Sequence, residues 1–175
     1  MSCMIEPTSA DKQTAILTFN REQLLYDIKN ASYVQSHAMV GDNGHKEHLL
    51  ADICEGGNAD IVTREIDRAI GEVREALYAY TKCEVVNSEL DNALHEVPSY
   101  GVVLQLPKDF SQTTLNLMER YIHDYIVASV IYMWLNVTQI GDNGYWQARR
   151  DGDMVLLQRR VQHRSGKIRR KLQPF

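Results

Sequence analysis

Between residues 109 and 140 the chain carries an apolar pattern that leaves little choice of fold. Leu115, Met118, Ile122, Tyr125, Ile126, Ser129, Val130, Met133 and Trp134 recur at short helical spacings and share one side of a helix. Past Ile122 the stripe widens until the helix is apolar nearly all round. A surface helix keeps a polar face in water, whereas one that is apolar all round has to be enclosed by other elements. Asp109 or Ser111 supplies the N-cap, and the turn residues Gly141-Asp-Asn-Gly144 are expected to end it. Within it, Tyr121–Val137 does not read as a membrane span. It contains His123, Asp124 and Asn136, and its uncharged run is shorter than the ~18–20 residues a span needs. The pattern predicts the central helix of a bundle.

The other elements follow from shorter patterns. Ala15-Ile-Leu-Thr-Phe19 reads as a strand ended by Asn20, which then caps a helix over 21–39, with Gln23 at the capping-box position. Leu24, Leu25, Ile28, Ala31 and Val34 should form that helix's buried face. A short helix is expected over 45–54, stopped by Gly56-Gly57. Asn58 caps the next one, whose stripe is Ile66, Ile70, Val73, Leu77 and Tyr80, with Arg and Glu at helical spacing on its solvated side. Val102-Val-Leu-Gln-Leu106, closed by Pro107, is a second strand that can pair with Ile16–Phe19; such a ribbon needs helices to pack on. A last helix over 145–164 sets Trp146 and Leu157 beside the cations Arg149 and Arg150, with Gly152 weakening its middle by ~1 kcal/mol relative to Ala. The fold class is therefore mainly α: a bundle of four to five helices, a small two-stranded β element and an extended C-terminal arm. The expected division is a flexible N-terminus (1–14), a helical domain (15–164) and a basic arm (165–175).

Composition bounds the rest. A chain of 175 residues that is 44% apolar and 24% charged can build one ordinary globular core. The start, Met1-Ser-Cys-Met-Ile-Glu, has neither a basic nor an apolar signal region, so secretion by a signal peptide is not expected. Cys3, Cys54 and Cys83 are an odd count without framework spacing, which favours free thiols in a reducing compartment.

Sites of chemistry are scarce. His45 and His48, with Cys54 nearby, are three metal-capable residues, but His37, Glu47, Cys83 and His95 do not complete a zinc spacing, and a solvated surface is the plainer reading. His123 and Asp124 are adjacent on a helix and point about 100° apart, so they do not form an acid/base dyad. A histidine that finds a hydrogen-bond partner elsewhere is expected. The chain has no nucleophile elbow, Walker loop, dinucleotide fingerprint or CxxC. No enzyme activity, cofactor or metal is expected.

Charge is divided by position. Residues 1–148 hold 10 Lys/Arg against 21 Asp/Glu, a net of −11; residues 149–175 hold 9 against 2, a net of +7; together they give −4. The candidate binding residues are Arg159, Arg160, Arg164, Lys167, Ile168, Arg169, Arg170, Lys171, Leu172 and Phe175. Apolar side chains among the cations allow burial as well as attraction, and Pro174 forbids continued helix. Such an arm has an acidic partner: nucleic acid, an anionic surface or the acidic body of a neighbouring subunit.

Several segments in order resemble one family. They are Gln23-Leu-Leu-Tyr-Asp-Ile-Lys-Asn30, Val62-Thr-Arg-Glu-Ile-Asp-Arg-Ala-Ile-Gly-Glu-Val73 with Leu77-Tyr-Ala-Tyr-Thr81, Leu106-Pro-Lys-Asp-Phe-Ser-Gln-Thr-Thr114, Ile122-His-Asp-Tyr-Ile126 before Trp134-Leu135, and the ending Ser165-Gly-Lys-Ile-Arg-Arg-Lys-Leu-Gln-Pro-Phe175. Over most of 15–175 this order resembles the small helical head–tail adaptor, or connector, proteins of tailed bacteriophages and prophages. The resemblance implies a ring of helical bundles below a portal, a C-terminal extension that embeds in the portal or a neighbour, DNA passing through the lumen, and no catalysis. The partners implied are portal or other connector rings and a homo-oligomeric ring, with non-specific DNA contact and no membrane. The location implied is the virion or the host cytoplasm. The alternative is a nucleic-acid-binding module built on the last helix and the arm. It would bind with steep salt dependence, although Phe175 is the arm's lone aromatic residue. The strands and the segment 40–57 have no counterpart in the simplest adaptors.

Overall fold

The computed structural model describes residues 12–38, 48, 50, 52–81, 94, 96–139 and 143–161. In chain order these form β1 (Lys12–Asn20), α1 (Arg21–Ala38), a 3-10 turn (Asp52–Cys54), α2 (Ala59–Ala76), α3 (Tyr78–Thr81), β2 (Ser99–Pro107), α4 (Gln112–Thr138) and α5 (Gly144–Val161). The protein is mainly helical with one small sheet, as the sequence predicts. No helix among the described residues is long and apolar enough to cross a membrane.

The widened apolar stretch is the centre of the molecule. Every residue from Tyr125 to Ile131 is buried, and α1, α2 and α5 all pack on α4. Ser111 sits at its N-cap in extended conformation, with its carbonyl accepting from the amides of Thr114 and Leu115 at 3.1 Å. The helix stops earlier than the Gly141–Gly144 turn. Gln139 takes the left-handed conformation (φ 53°, ψ 35°) in which helices usually place glycine.

β1 and β2 form an antiparallel pair whose register sets Leu17 opposite Val102 and Phe19 opposite Tyr100. Alternation decides which face goes inward. Tyr100, Val102, Leu104 and Leu106 are buried from β2, and Leu17 and Phe19 from β1. At the strand–helix junction the Asn20 Oδ1 accepts from the amides of Glu22 (2.8 Å) and Gln23 (3.4 Å), closing the open N-terminus of α1. The Gln23 side chain does not complete a capping box; its Nε2 donates to Asp27 Oδ2 at 2.9 Å.

Other local expectations change as well. Val34 is 63% exposed rather than buried, and Tyr26 and Tyr33 are exposed with it. The buried line of α1 runs Leu24, Ile28, Ser32, Ser36. The two serines can be buried because each hydroxyl donates to a carbonyl of its own helix, Lys29 and Tyr33 respectively. Asn58 precedes α2 but does not cap it with its side chain, which donates to the Asp52 carbonyl at 2.9 Å. The stripe through Leu77 and Tyr80 is interrupted: α2 ends at Ala76 and α3 restarts at Tyr78, with the Thr81 hydroxyl donating back to the Arg74 carbonyl. In the segment 45–54, His48 and Leu50 are helical and Asp52–Cys54 is a 3-10 turn.

Polar ties join the layers. The Tyr125 hydroxyl of α4 donates to Glu72 of α2. Arg74 reaches from α2 to the Gly101 carbonyl of β2 at 2.6 Å. Arg21 donates to Thr63 (3.1 Å) and pairs with Glu96 (3.2 Å). Burial and the neighbouring Asp67 carboxylate, opposed by Arg21, push the Tyr100 phenol up to about 12. Burial and the hydrogen bond to Glu72 raise the Tyr125 phenol as well.

Candidate functional site

The mount of the basic arm is the part of the expected binding site that lies within the described residues. α5 packs on α4 through Trp146, Leu157 and Val161, all buried. Near its end Arg159 is exposed and Arg160 half-buried, so the last turn directs the Arg159 side chain to solvent beside a packed anchor at Val161. Cations at a helix C-terminus also face its negative dipole end favourably. The other eight candidates, Arg164, Lys167, Ile168, Arg169, Arg170, Lys171, Leu172 and Phe175, lie outside the described residues.

The cations at the start of α5 are turned toward the protein. Arg149 stands 5.8 Å over the Trp146 ring and 3.8 Å from Asp124 of α4. Arg150 stands 4.7 Å over Tyr132 and donates to Asp151. Asp153, one turn on, is half-buried, and burial followed by the nearby Asp124 carboxylate raises its carboxyl group against the opposing Arg149.

Next to this helix is a cleft of about 710 Å³, walled by the end of β1, by α1, by α4 and by Trp146 and Arg149. His123 lies in it and finds its partner across the cleft: Nε2 is 2.9 Å from Asp27 Oδ2 on α1, the same oxygen that accepts from Gln23. His123 and Asp124 do not pair, as their angular separation requires. Nε2 is the ring nitrogen that reaches farthest from the backbone, and here it is committed to Asp27. The arrangement holds α1 against α4, and at this partly exposed position it is worth on the order of 1 kcal/mol or less.

A second cleft of about 350 Å³ adjoins the first, with Thr18 and Glu119 lining both. One wall is the unbroken run Gln13 to Thr18; the other is Gln112, Leu115, Asn116 and Glu119 of α4. A strand shows alternate residues to anything facing it flat, so a consecutive run means that the cleft meets β1 along its edge. Among the described residues β1 pairs with β2 alone. Sequence patterning does not reveal this feature, because alternation reports the two faces of a strand and not which edge is covered.

The remaining expected ligands do not gather. His48 is exposed, and Cys54 is half-buried with its thiol directed to the Leu25 carbonyl at 3.6 Å; burial raises the thiol. His37 bonds within its own helix and stacks on Tyr33 at 4.1 Å. His45, Glu47, Cys83 and His95 lie outside the described residues. Among those described, no group of three His, Cys, Asp or Glu side chains is placed to hold a metal ion. Comparison with family models, curated proteins and solved structures finds no match.

Proposed function

We propose that the protein is a structural connector of a tailed phage or prophage, a helical body whose basic C-terminal arm is captured by a portal ring or by a neighbouring subunit. The observation that carries this reading is the division of charge, −11 over residues 1–148 and +7 over 149–175. An acidic body resists sticking to passing DNA, while a cationic peptide with interleaved apolar residues has both attraction and burial to offer a protein surface. The buried residues of α5 support it too, because Trp146, Leu157 and Val161 anchor the helix that leads toward the arm. The order of segments that resembles head–tail adaptors supplies the kind of partner.

A nucleic-acid-binding module draws less support. Arg149 and Arg150, which would extend the arm's cationic surface along α5, are engaged with Asp124, Trp146, Asp151 and Tyr132. The test is capture of the full chain by a tailed-phage portal ring, compared with a chain lacking residues 165–175. Loss of capture with an unchanged helical spectrum is expected. Undiminished capture would defeat the proposal, and tight duplex binding that collapses with added salt would favour the alternative.

A further inference from the structure

We infer that the groove between the edge of β1 and α4 is the receptor for the basic arm of a second copy of this chain. The inference rests on the connector reading and names one partner for its arm. Three observations lead to it. First, the groove exposes a strand edge along six consecutive residues, Gln13 to Thr18. An open edge accepts an added strand through backbone hydrogen bonds, and side-chain pockets then choose the sequence. Ile16, in the middle of the run, is 49% exposed, an apolar β-branched residue left for a partner to cover.

Second, Glu119 stands where the two clefts meet, is exposed, and has no ion pair among the described residues. The other carboxylates of the larger cleft are committed, Asp27 to His123 and Asp124 to Arg149. A carboxylate without an ion pair among the described residues, beside a strand edge unpaired among them, on residues 1–148 of net charge −11, selects a cationic peptide. Arg120 lines only the larger cleft, and among the described residues lining the strand-edge cleft none is a cation.

Third, length and pattern fit. Six strand residues cover roughly 20 Å. The fourteen residues 162–175 reach at most about 50 Å when extended, enough for a tether and a docked strand. In extended form Ile168, Arg170 and Leu172 fall on one side and Arg169 and Lys171 on the other, so one side can cover Ile16, which is 49% exposed, while a cation meets Glu119.

The experiment uses the full chain. A labelled peptide of residues 165–175 is titrated into it and followed by anisotropy, and the mass of the unlabelled chain is measured by sedimentation across a wide concentration range. Saturable peptide binding and a mass that rises with concentration are expected. Glu119→Lys and Asn116→Arg, both at exposed positions, should each weaken peptide binding by about tenfold or more and suppress self-association, with melting unchanged. Three results overturn the inference: no peptide binding, binding untouched by both substitutions, or binding to a chain that stays single at every concentration, which would mean that the arm fills its own groove. If both groove variants self-associate normally while loss of 165–175 abolishes portal capture, the connector reading survives and the groove assignment falls.

Discussion

Asn20 and Gln139 mark how much single side chains decide here, and how unevenly the sequence announces them. Asn20 follows a β-rich run and precedes a helical period, and its side chain closes the first turn of α1. Gln139 announces nothing, yet it holds the left-handed conformation that ends α4. A side chain there costs about 1–2 kcal/mol of backbone strain, partly offset by the entropy that glycine would lose. Gln139→Gly should stabilise the protein by about 0.5–1 kcal/mol, read as a higher denaturant midpoint at constant slope. The buried phenols give the pH dependence. Tyr100 is raised to about 12 and Tyr125 is raised too, so the folded state holds both protons above the ordinary tyrosine range near 10. Their contribution is intact below about pH 10 and is lost as pH climbs toward 12, because the unfolded chain ionises first. Stability of the wild type should fall across that window, and the Tyr100→Phe, Tyr125→Phe double variant should fall less steeply. Equal slopes in urea titrations would contradict the assignment.

At the scale of elements, legibility followed periodicity. α4 could be read from its sequence because its pattern is long and its middle, Tyr125 to Ile131, is buried on every side. Ile126→Ala, at a position with no exposure, should cost about 2–5 kcal/mol by the loss of buried surface and the cavity left behind. A melting temperature unchanged by that substitution would remove α4 from the core. The strand pair was legible for the same reason, its alternation showing in Val102, Leu104 and Leu106. α1 was misread on one point: hydrophobicity put Val34 inward, whereas Ser32 and Ser36 are buried because their hydroxyls are satisfied within the helix. A pattern of apolar letters cannot show that a polar atom has found its partner. The clefts were illegible for a different reason. The tie between His123 and Asp27 joins residues 96 apart in sequence, and the edge of β1 that is unpaired among the described residues exists only once the sheet has formed.

At the scale of the whole molecule the account is electrostatic. One apolar core joins the described helices and the sheet, and Val161 at the end of α5 is buried beside the exposed Arg159. The acidic body and the basic arm are then complementary surfaces on one chain, which suits assembly from repeated copies or onto a larger ring. In the proposed connector, attraction of this kind would weaken with salt, while the apolar residues of the arm would keep part of the binding in place. The measurement that bears most directly on this is the affinity of the portal ring for the full chain and for a chain ending at Arg164, at low and at high salt. The account predicts loss of binding for the shortened chain in both conditions, and for the full chain a moderate weakening with salt that stops short of loss. Equal affinity of the two chains would contradict it.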